Sequence, residues 1–533
     1  MNRREALQLI GGSVVATCAR GDDKPASGGA VAGQPEGARA GHEVLDGGGN
    51  VVDAVVTAAL VAAVVAVQQT GPGGYGGHMT LALSGGKKIT CIDFNTAAPA
   101  AATPDVYPLN DRGAVKDSAN TFGWRAVGVP GVLAGLQFAL ERYGTRKFGQ
   151  LAQPAIRYCR DGFPLETGLA NAIRGSRTRL SADPASAKLF FEGGEPLKTG
   201  ALYRNPDLAA MLEKLAGQDS VEAFYRGEIA ERIAAEMQKH GGLLTAADLA
   251  AYRAREVEPL RLDWNGHSIY IAPLTAGGAT TLQALAIVKA LGELPAGQTT
   301  HAKLEALRLA WQDRLAMFGD PEKGPVPVER LLSETHTRVQ ARLAEAAARQ
   351  GRPLPPQTDG RPTGGTIHLS AADAHGNLAA LTLTHGDSFG ARVTVPGLGL
   401  ILGHGMTRFE PKPGHPNSVG PGKRPLHNMC PTIVCKDGRP VLAVGARGGR
   451  RIPNTVFEVL LEFVGRGKLM DVALNAGRLH TEGGLNVDLD PKCTDGDVEY
   501  LKKIGFAADR GPGAFASAVL YDPATGRCRA ASR

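Results

Sequence analysis

The 533-residue sequence predicts an α+β fold in which strands pack between layers of helices. Up to Gln350, helical hydrophobic patterns alternate with a few strands, whereas after it runs of period two, which are typical of strands, become common. Hydrophobic residues make up 43% of the chain and charged residues 21%. This balance is that of a folded globular protein, and it excludes a disordered, collagen-like or coiled-coil chain.

Hydrophobic periodicity defines the individual elements. Helices are predicted at Gly41 to Leu45, Val51 to Val67, Val132 to Tyr143, Phe148 to Asp161, Asn205 to Ala216, Ile229 to His240, His301 to Ala316, Ser333 to Arg349, Asn454 to Val464 and Met470 to Ala476. Strands are predicted at Met79 to Leu83, Ile89 to Asp93, Ser268 to Ile271, Ile367 to Ala371, Leu378 to Thr384, Val393 to Val395, Thr432 to Val434 and Val441 to Val444. A Pro/Gly-rich loop, Arg352 to Gly365, separates the two parts of the chain.

The N-terminal residues have the pattern of an export signal. The pair Arg3-Arg4 is followed by a modest apolar stretch, Leu9 to Cys18, which is typical of a twin-arginine signal and predicts a periplasmic or secreted protein. A charged helix start is the alternative, and the residues before Cys18 also loosely resemble a lipoprotein cleavage box. Residues 19 to about 35 read as a linker, so the fold is expected to begin near Ala30.

Composition and length exclude several classes of partner. Val51 to Val67 is almost long enough to span a bilayer, but Asp53 near its start and the following Gln68-Gln69 favour a buried core helix, so no membrane span is expected. The net charge of +7 forms no basic stripe interleaved with aromatic residues, so no nucleic-acid partner is expected either. The seven cysteines include no C-x-x-C pair, which favours buried thiols and no metal site.

Two sequence motifs match known sites but occur in the wrong context. Gly71 to Gly76 fits the dinucleotide fingerprint G-x-G-x-x-G, with Asp93 at the expected distance, yet a helix precedes it and a strand follows it, the reverse of the required order. Gly386 to Gly390 fits the G-x-S-x-G nucleophile elbow around Ser388. The following residues, 391–402, read as extended chain and turn instead of the helix that an elbow requires, so a serine hydrolase remains the rival hypothesis.

A third signal is a threonine at the start of a strand after a flexible loop. Cleavage of the Gly365-Thr366 bond would free the α-amine of Thr366. An α-amine with a pKa near 8 is a base that can take the proton of the threonine hydroxyl and make it nucleophilic. A glycine-threonine pair at a strand start is by itself a common structural feature, so this pattern alone does not establish the chemistry.

From about Ala30 onward the sequence resembles the γ-glutamyltransferase (glutathione hydrolase) family of N-terminal nucleophile hydrolases, which also includes cephalosporin-type acylases. The matching stretches, in order, are Gly47 to Asn50 with Val52 to Ala54, Asp93-Phe94 with Ala98 to Ala100, Gly128 to Gly131, Glu222 to Gly227, Gly241 to Thr245, Glu305 to Arg308, Thr366 to Asn377, Lys423 to Leu426, Pro431 to Ile433 and Gly448-Gly449.

This resemblance implies a four-layer αββα sandwich made by one intertwined domain. Residues 1–29 would be export signal and linker, residues 30–365 a large chain, and residues 366–533 a small catalytic chain produced by self-cleavage. The resemblance makes Thr366 the nucleophile, Thr384 the hydroxyl that orients it, and Gly448 and Gly449 the backbone donors to the oxyanion. It implies acyl transfer through a threonyl ester to water or an amine, with no metal or organic cofactor.

The positions that match the family's substrate-binding residues have changed chemistry. Asn95 stands where the family has an arginine for the donor carboxylate, and Arg408 where it has an aspartate for the donor ammonium. Gly386 replaces an asparagine, and His427 and Asn428 replace paired serines. A carboxylate clamp has therefore lost its cation while an ammonium site has gained one.

Two interpretations of these changes stand. Other residues, such as His78, Arg447 or Arg450, rebuild a γ-glutamyl site, or the acyl donor is a different, acidic group. A third hypothesis of another class is an uncleaved binding protein on the same fold, against which the retained Thr366 and Thr384 argue. The expected partners are a small-molecule or peptide amide substrate and the two chains of one precursor.

Overall fold

Two six-stranded sheets lie at the centre of the computed structural model, which describes residues 28–356 and 365–533. The strands of these residues, numbered β1 to β21 in chain order, are Gly29–Ala32, Gly76–Leu83, Lys88–Asp93, Phe163–Pro164, Phe191–Glu192, Glu195–Pro196, Leu202–Tyr203, Arg255–Val257, Leu260–Trp264, His267–Ile271, Ile367–Asp373, Leu378–Thr384, Thr394–Val395, Leu400–Ile401, Thr432–Lys436, Arg439–Arg447, Leu479–His480, Asn486–Leu489, Ala507–Arg510, Phe515–Asp522 and Arg527–Ser532. The mixed helix and strand content agrees with the predicted α+β class.

Each of the two large sheets combines strands from both sides of residue 365. The first has the order β1-β11-β12-β2-β3-β8 and the second the order β21-β20-β16-β15-β10-β9. Neighbouring strands run antiparallel throughout both sheets. The residues before and after residue 365 are thus hydrogen-bonded into the same sheets and cannot form separate bodies.

The sheets pack face to face through small and apolar side chains. Ala372 of β11 and Ala380 of β12 share one buried cluster with Ile433, Ala443 and Val519 of the second sheet. Because side chains alternate along a strand, the next residues point to the outer faces. There the first sheet contacts the helix Val51–Val65, and the second contacts the helices Gly278–Lys289 and Arg451–Leu460.

The α-helices of the described residues fill these outer faces and the periphery. Their bounds are Pro35–Asp46, Val51–Val65, Val132–Tyr143, Phe148–Leu151, Gln153–Asp161, Thr167–Gly175, Arg177–Ala182, Pro184–Phe190, Pro206–Gly217, Glu222–Arg226, Glu228–Lys239, Ala246–Ala251, Gly278–Lys289, Ala296–Met317, Val328–Leu331, Glu334–Gln350, Arg451–Leu460, Met470–Asn475 and Asp495–Lys503.

The apolar helix Val51–Val65 is the buried core helix that the sequence predicts. All of its side chains are buried, and it starts with a capping box in which Asn50 and Asp53 bond each other's backbone N–H groups. The Asp53 carboxylate also accepts the N–H groups of Thr145 and Arg146, which satisfies a charge with no contact to water. Across the described residues, none of the helices has both the length and the apolar character that crossing a bilayer requires.

Several predicted boundaries differ from the structure. Strand β1 and the helix Pro35–Asp46 begin inside the predicted linker, because the pairing of β1 with β11 is a tertiary contact that a four-residue Gly-Ala-Val-Ala run does not announce. The predicted helix Phe148 to Asp161 is two helices, the second of which has Pro154 in its first turn. The edge hairpin of β20 and β21 was not predicted at all. The predicted export signal and Cys18 lie outside the described residues.

Candidate active site

The Gly365-Thr366 peptide lies where β11 begins, beside the end of β12. Thr366 is only 5% exposed, and its Oγ1 lies 2.7 Å from the Gly365 carbonyl oxygen and 3.2 Å from Thr384 Oγ1. The antiparallel register of Ile367 with Leu383 brings Thr366 opposite Thr384. The predicted nucleophile and the predicted orienting hydroxyl are therefore adjacent, on the face of the first sheet that meets the second sheet.

Thr384 has a defined direction in its hydrogen bonds. The Gly386 N–H donates to Thr384 Oγ1 at 2.7 Å, and Thr384 Oγ1 in turn makes a short hydrogen bond to the Gly365 carbonyl oxygen. A carbonyl oxygen can only accept, so the Thr384 hydroxyl donates to it. The Gly365 carbonyl is polarised by this bond, which makes its carbon more open to attack by a nucleophile.

Gly448 and Gly449 form the turn between β16 and the helix Arg451–Leu460. Their carbonyl oxygens accept the N–H groups of Arg451 and Ile452, both at 3.2 Å, and their φ angles of 132° and 62° suit glycine. The turn therefore sits at the positive end of a ten-residue helix.

Strand β16 brings this turn toward Thr366, the predicted nucleophile. Gly445 packs against the His368 ring so closely that a Cβ on Gly445 would overlap it. His368 is on β11, two residues after Thr366, and Gly445 is on β16, three residues before Gly448. The contact between them therefore joins the segment of Thr366 to the segment of the glycine turn. Burial lowers the pKa of His368 to about 3, so this imidazole is neutral and only a weak base. Its ring instead bonds Thr382 at 2.8 Å and Ser370 at 2.9 Å.

Gly386 and Arg408, two of the predicted substrate-binding residues, contact each other beside Thr384. Arg408 Nη2 donates to the Gly386 carbonyl oxygen at 2.6 Å, and Arg408 also hydrogen-bonds the buried Tyr75 side chain. The His404 ring fills the space that a side chain on Gly386 would need. Because His404 Nδ1 lies 3.0 Å from the Thr121 carbonyl oxygen, Nδ1 carries the hydrogen of this neutral ring.

Asn95 is fully buried beneath the site. Its amide nitrogen donates to Thr275 Oγ1 and to the Pro425 carbonyl oxygen, both at 2.7 Å. The preceding Asp93 pairs with Arg424 at 2.9 Å and with Arg255 at 2.7 Å. Burial alone would raise the pKa of Asp93, but these guanidiniums lower it well below its usual value. Both hydrogens of the Asn95 amide are thus used inside the protein.

His427 is also engaged within the protein. The Met429 N–H donates to His427 Nδ1 at 3.2 Å, so the other ring nitrogen carries the hydrogen and donates to His78 Nδ1 at 3.0 Å. The remaining His78 nitrogen faces Asp93 Oδ1 at 3.4 Å. Two neutral imidazoles therefore connect the position of the family serines to the Asp93 ion pairs. His78, which was a candidate for rebuilding a γ-glutamyl site, is the middle residue of this chain of contacts.

Asn428 and the two candidate arginines, Arg447 and Arg450, also have partners within the protein. Asn428 Oδ1 lies 3.3 Å from Arg314, a buried arginine that also donates to the His427 carbonyl oxygen at 2.7 Å. Arg447 bonds Gln69 at 3.1 Å, and Arg450 bonds Glu482 at 2.7 Å. Tyr75, His404 and Arg314 were not predicted from the sequence, because each is brought to the site by a loop or helix distant in sequence.

Ser388, the rival nucleophile, does not have the surroundings of an elbow. The residues after β12 form a turn that leads to β13, and no helix starts there. The downstream acids and histidine have other partners, since Asp471 pairs with Arg529 and His480 contacts Glu482 and Asn454. The dinucleotide fingerprint at Gly71 to Gly76 has a helix before it and β2 after it. This order is the reverse of the one that a dinucleotide site needs, as the sequence predicted.

Comparison with known proteins identifies relatives of the chain. The sequence profile described as Gamma-glutamyltranspeptidase matches residues 37–532. The chain is 36% identical over 470 residues to the glutathione hydrolase proenzyme of Pseudomonas sp. (strain A14), with 85% of this chain and 81% of that protein covered. It is 32% identical over 504 residues to the Acylase ACY 1 proenzyme of Pseudomonas sp. (strain V22), with 92% and 89% covered. The crystal structure of cephalosporin acylase from Bacillus halodurans is similar with a TM-score of 0.86 at 27% identity, with 95% of this chain and 94% of that one covered.

Proposed function

The chain belongs to the gamma-glutamyltranspeptidase family, and we propose that its hydrolase activity depends on Thr366 as an N-terminal nucleophile. The observation that carries this proposal is the contact of Thr366 Oγ1 and Thr384 Oγ1 with the Gly365 carbonyl oxygen. The hydroxyl that must attack and a hydroxyl that polarises its target are both in place before cleavage.

Self-cleavage begins with attack of Thr366 Oγ1 on the carbonyl carbon of Gly365. The carbon–nitrogen bond to Thr366 breaks, the nitrogen takes the proton that the hydroxyl loses, and an ester joins Gly365 to Thr366 Oγ1. Water then hydrolyses this ester and leaves a carboxylate on Gly365 and a free amine on Thr366. The products are a large chain ending at residue 365 and a small chain of residues 366–533. The proenzyme names of the relatives support this processing.

In the mature enzyme the freed amine of Thr366 takes the proton of its own hydroxyl as the hydroxyl attacks the amide of the donor. The N–H groups of Gly448 and Gly449 donate hydrogen bonds to the oxyanion. In comparable sites each such donor stabilises the transition state by roughly 3 to 4 kcal/mol. The leaving amine takes a proton, and the threonyl ester is resolved by water or by an acceptor amine. No step of this scheme requires a metal or organic cofactor.

The proposed donor is a γ-glutamyl amide such as glutathione, or a related acyl amide. A non-glutamyl donor is the second candidate, because Asn95 and His427 are engaged within the protein and Arg408 stands at the position of the family's ammonium-binding acid. The likeness to an acylase proenzyme and to a cephalosporin acylase supports the second candidate.

The layered architecture of the fold and the destination of the protein are also part of the proposal. The helix Val51–Val65 outside one sheet, and the helices Gly278–Lys289 and Arg451–Leu460 outside the other, support a four-layer αββα sandwich. We propose residues 1–29 as a twin-arginine export signal and linker, and the periplasm or the exterior of the cell as the destination.

The deciding experiment is intact mass measurement under denaturing conditions, with N-terminal sequencing of any small fragment. Wild type should give a fragment that starts Thr-Ile-His-Leu, and Thr366→Ala should stay whole. A panel of γ-glutamyl and glutaryl anilides then distinguishes the two donors. A single intact chain in an active wild-type preparation would contradict the proposal, and fluorophosphonate labelling of Ser388 would then test the serine mechanism.

A further inference from the structure

Two arginine side chains pack on one aromatic ring next to the candidate active site. The guanidinium carbons of Arg179 and Arg392 are each 4.6 Å from the centre of the Phe122 ring. Arg179 comes from the short helix Arg177–Ala182, and Arg392 from the turn between β12 and β13. These three side chains, called here the Phe122 cluster, therefore come from three separate parts of the chain.

Within the described residues, no close ion pair neutralises the positive charge of the Phe122 cluster, and Asp387 acts on Arg392 only at longer range. Over residues 28–356 and 365–533, neither Arg179 nor Arg392 has a carboxylate oxygen within 4.0 Å. Partial burial lowers the pKa of Arg392, Asp387 acts against this, and Arg179 adds to it. Two like charges close to one ring repel each other, although each is attracted by the face of the ring. An anion that contacts both guanidiniums would reduce this repulsion.

The backbone at Arg392 is also strained. Its φ of 59° is in the left-handed region, which L-residues with a side chain seldom adopt, and the guanidinium is held by a 3.3 Å bond to the Ser388 carbonyl oxygen. Such strain is found where a side chain is held in place for binding.

The Phe122 cluster is reached from Thr366 through direct contacts. Gly365 approaches Asp387 so closely that a Cβ on Gly365 would be 2.7 Å from Asp387 Cα. Four residues before Arg392, Ser388 provides the carbonyl oxygen that Arg392 bonds. On the other side, Thr121, which precedes Phe122, accepts the hydrogen bond of His404, whose ring packs on Gly386.

We propose that the Phe122 cluster is a subsite for the amine part of the substrate and that it binds a carboxylate carried by that part. The proposal rests on the proposed function of Thr366 as nucleophile. Arg179 is exposed whereas Thr366 is buried. In this proposal the cluster therefore lies on the side from which the leaving amine reaches the solvent. It is also distinct from the positions expected to bind the acyl part.

The chemistry of the cluster fits a planar acid. A guanidinium presents paired N–H donors that match the two oxygens of a carboxylate. The half-buried Phe122 ring adds an apolar surface beside the two cations. An amine that carries a carboxylate, such as an amino acid, a short peptide or an aminobenzoate, satisfies both features.

Two chromogenic donors with the same acyl group test this subsite. The γ-glutamyl amides of 4-nitroaniline and of 5-amino-2-nitrobenzoic acid differ by one carboxylate on the leaving amine. If γ-glutamyl donors are not turned over, the matching glutaryl pair replaces them. For each donor kcat/KM is measured, and the selectivity is the ratio of the carboxylated to the plain donor. We expect Arg179→Met and Arg392→Asn each to lower this ratio about tenfold, since Asn tolerates the positive φ at residue 392.

Matched controls separate binding from folding. Arg177 lies on the same helix but pairs with Glu195 at 2.8 Å, so Arg177→Met should leave the ratio unchanged. Arg392→Lys should recover part of the selectivity, and 0.5 M salt should reduce it in wild type because charge screening acts on exposed Arg179. An unchanged selectivity ratio in both Arg179→Met and Arg392→Asn overturns the subsite. The subsite is also overturned if the loss of kcat/KM in these variants depends on a carboxylate on the acyl part and not on the leaving amine. Failure of wild type to cleave itself or to use any donor contradicts the proposed function instead.

Discussion

At the scale of single residues, Thr384 contacts the peptide bond that we propose is cleaved. It accepts from the Gly386 N–H and donates to the Gly365 carbonyl oxygen, so one hydroxyl links the backbone after β12 to that bond. Because the Gly386 N–H donates to it, the hydroxyl oxygen is oriented and its hydrogen points toward the carbonyl. Both of these hydrogen bonds involve the single hydroxyl oxygen of Thr384.

Replacement of that oxygen tests its role. Thr384→Val keeps the shape of the side chain but removes the donor to Gly365, and we expect the self-cleavage rate to fall by about 10² because preorganised donors to a reacting carbonyl are worth about 3 kcal/mol. The rate is followed by intact mass after synthesis in a cell-free system. Thr384→Ser, which keeps the hydroxyl, should cleave within tenfold of wild type. Equal rates for Thr384→Val and wild type would falsify this role.

Gly386 is fixed by its neighbours and its backbone conformation. Its φ is 106° and a Cβ there would overlap the His404 ring, so Gly386→Asn, which restores the family residue, should lower the free energy of unfolding by about 2 to 4 kcal/mol. The fall in Tm measures this effect. Gly414→Asn is the control for φ alone, because Gly414 has a φ of 89° and no atom within 4 Å of the added Cβ. His404→Ala should recover part of the loss at Gly386 but none at Gly414.

At the scale of elements, the helix Ala296–Met317 joins the two proposed chains. Its buried Arg308 donates to the Leu354 carbonyl oxygen at 2.9 Å and to the Gly484 carbonyl oxygen at 2.8 Å, and it pairs with Glu305 at 2.6 Å. Leu354 lies in the large chain and Gly484 in the small one. One guanidinium therefore holds both chains against the same helix.

Loss of this guanidinium should be costly. Arg308→Met leaves Glu305 buried with a charge that has lost its cation, and removal of one partner of a buried pair costs about 3 to 5 kcal/mol. We expect a lower Tm in thermal unfolding. The double variant Glu305→Met, Arg308→Met should be closer to wild type, and Arg338→Met in the exposed pair with Glu334 should have no measurable effect. A double variant that is less stable than Arg308→Met would contradict the assignment.

At the scale of the whole molecule, buried neutral histidines make stability depend on pH. Burial lowers the pKa of His78 to about 4, of His368, His385 and His404 to about 3, and of His427 well below its ordinary value. In the unfolded chain all five have a pKa near 6.5. As the pH falls from about 6.5 toward 4, the unfolded chain binds more protons than the folded one, so the free energy of unfolding decreases.

We therefore expect Tm to be roughly constant above pH 7 and to fall steeply between pH 6.5 and pH 4.5. His385→Leu removes one of these groups, and no hydrogen bond within the described residues is lost with its ring nitrogens. This variant should gain more stability over wild type at pH 5 than at pH 7.5, as measured by calorimetry. His42→Gln, at an exposed position, should show the same pH dependence as wild type. A gain for His385→Leu that is independent of pH would exclude a titrating His385.

Much of the fold could be predicted from the sequence because its signals are local. The helices at Val51 and Val132 and the strand Leu378–Thr384 were predicted at or near their observed bounds, because their apolar residues form continuous or periodic runs within one segment. The strand β1 was not predicted, because four small residues carry no period and become a strand only by pairing with β11.

The sequence by itself determined which residues are candidates for the chemistry. A threonine after a glycine loop, a second threonine at the end of the next strand and a glycine pair before a helix are all readable in order, and family resemblance gives them roles. Only the tertiary structure decided the surroundings of the substrate. His404, Tyr75, Arg314 and the Phe122 cluster reach the site from segments far apart in sequence, and whether Asn95 and His427 face a substrate or the protein depends on hydrogen bonds to other loops. Such contacts are set by packing in three dimensions, and no pattern along the chain records them.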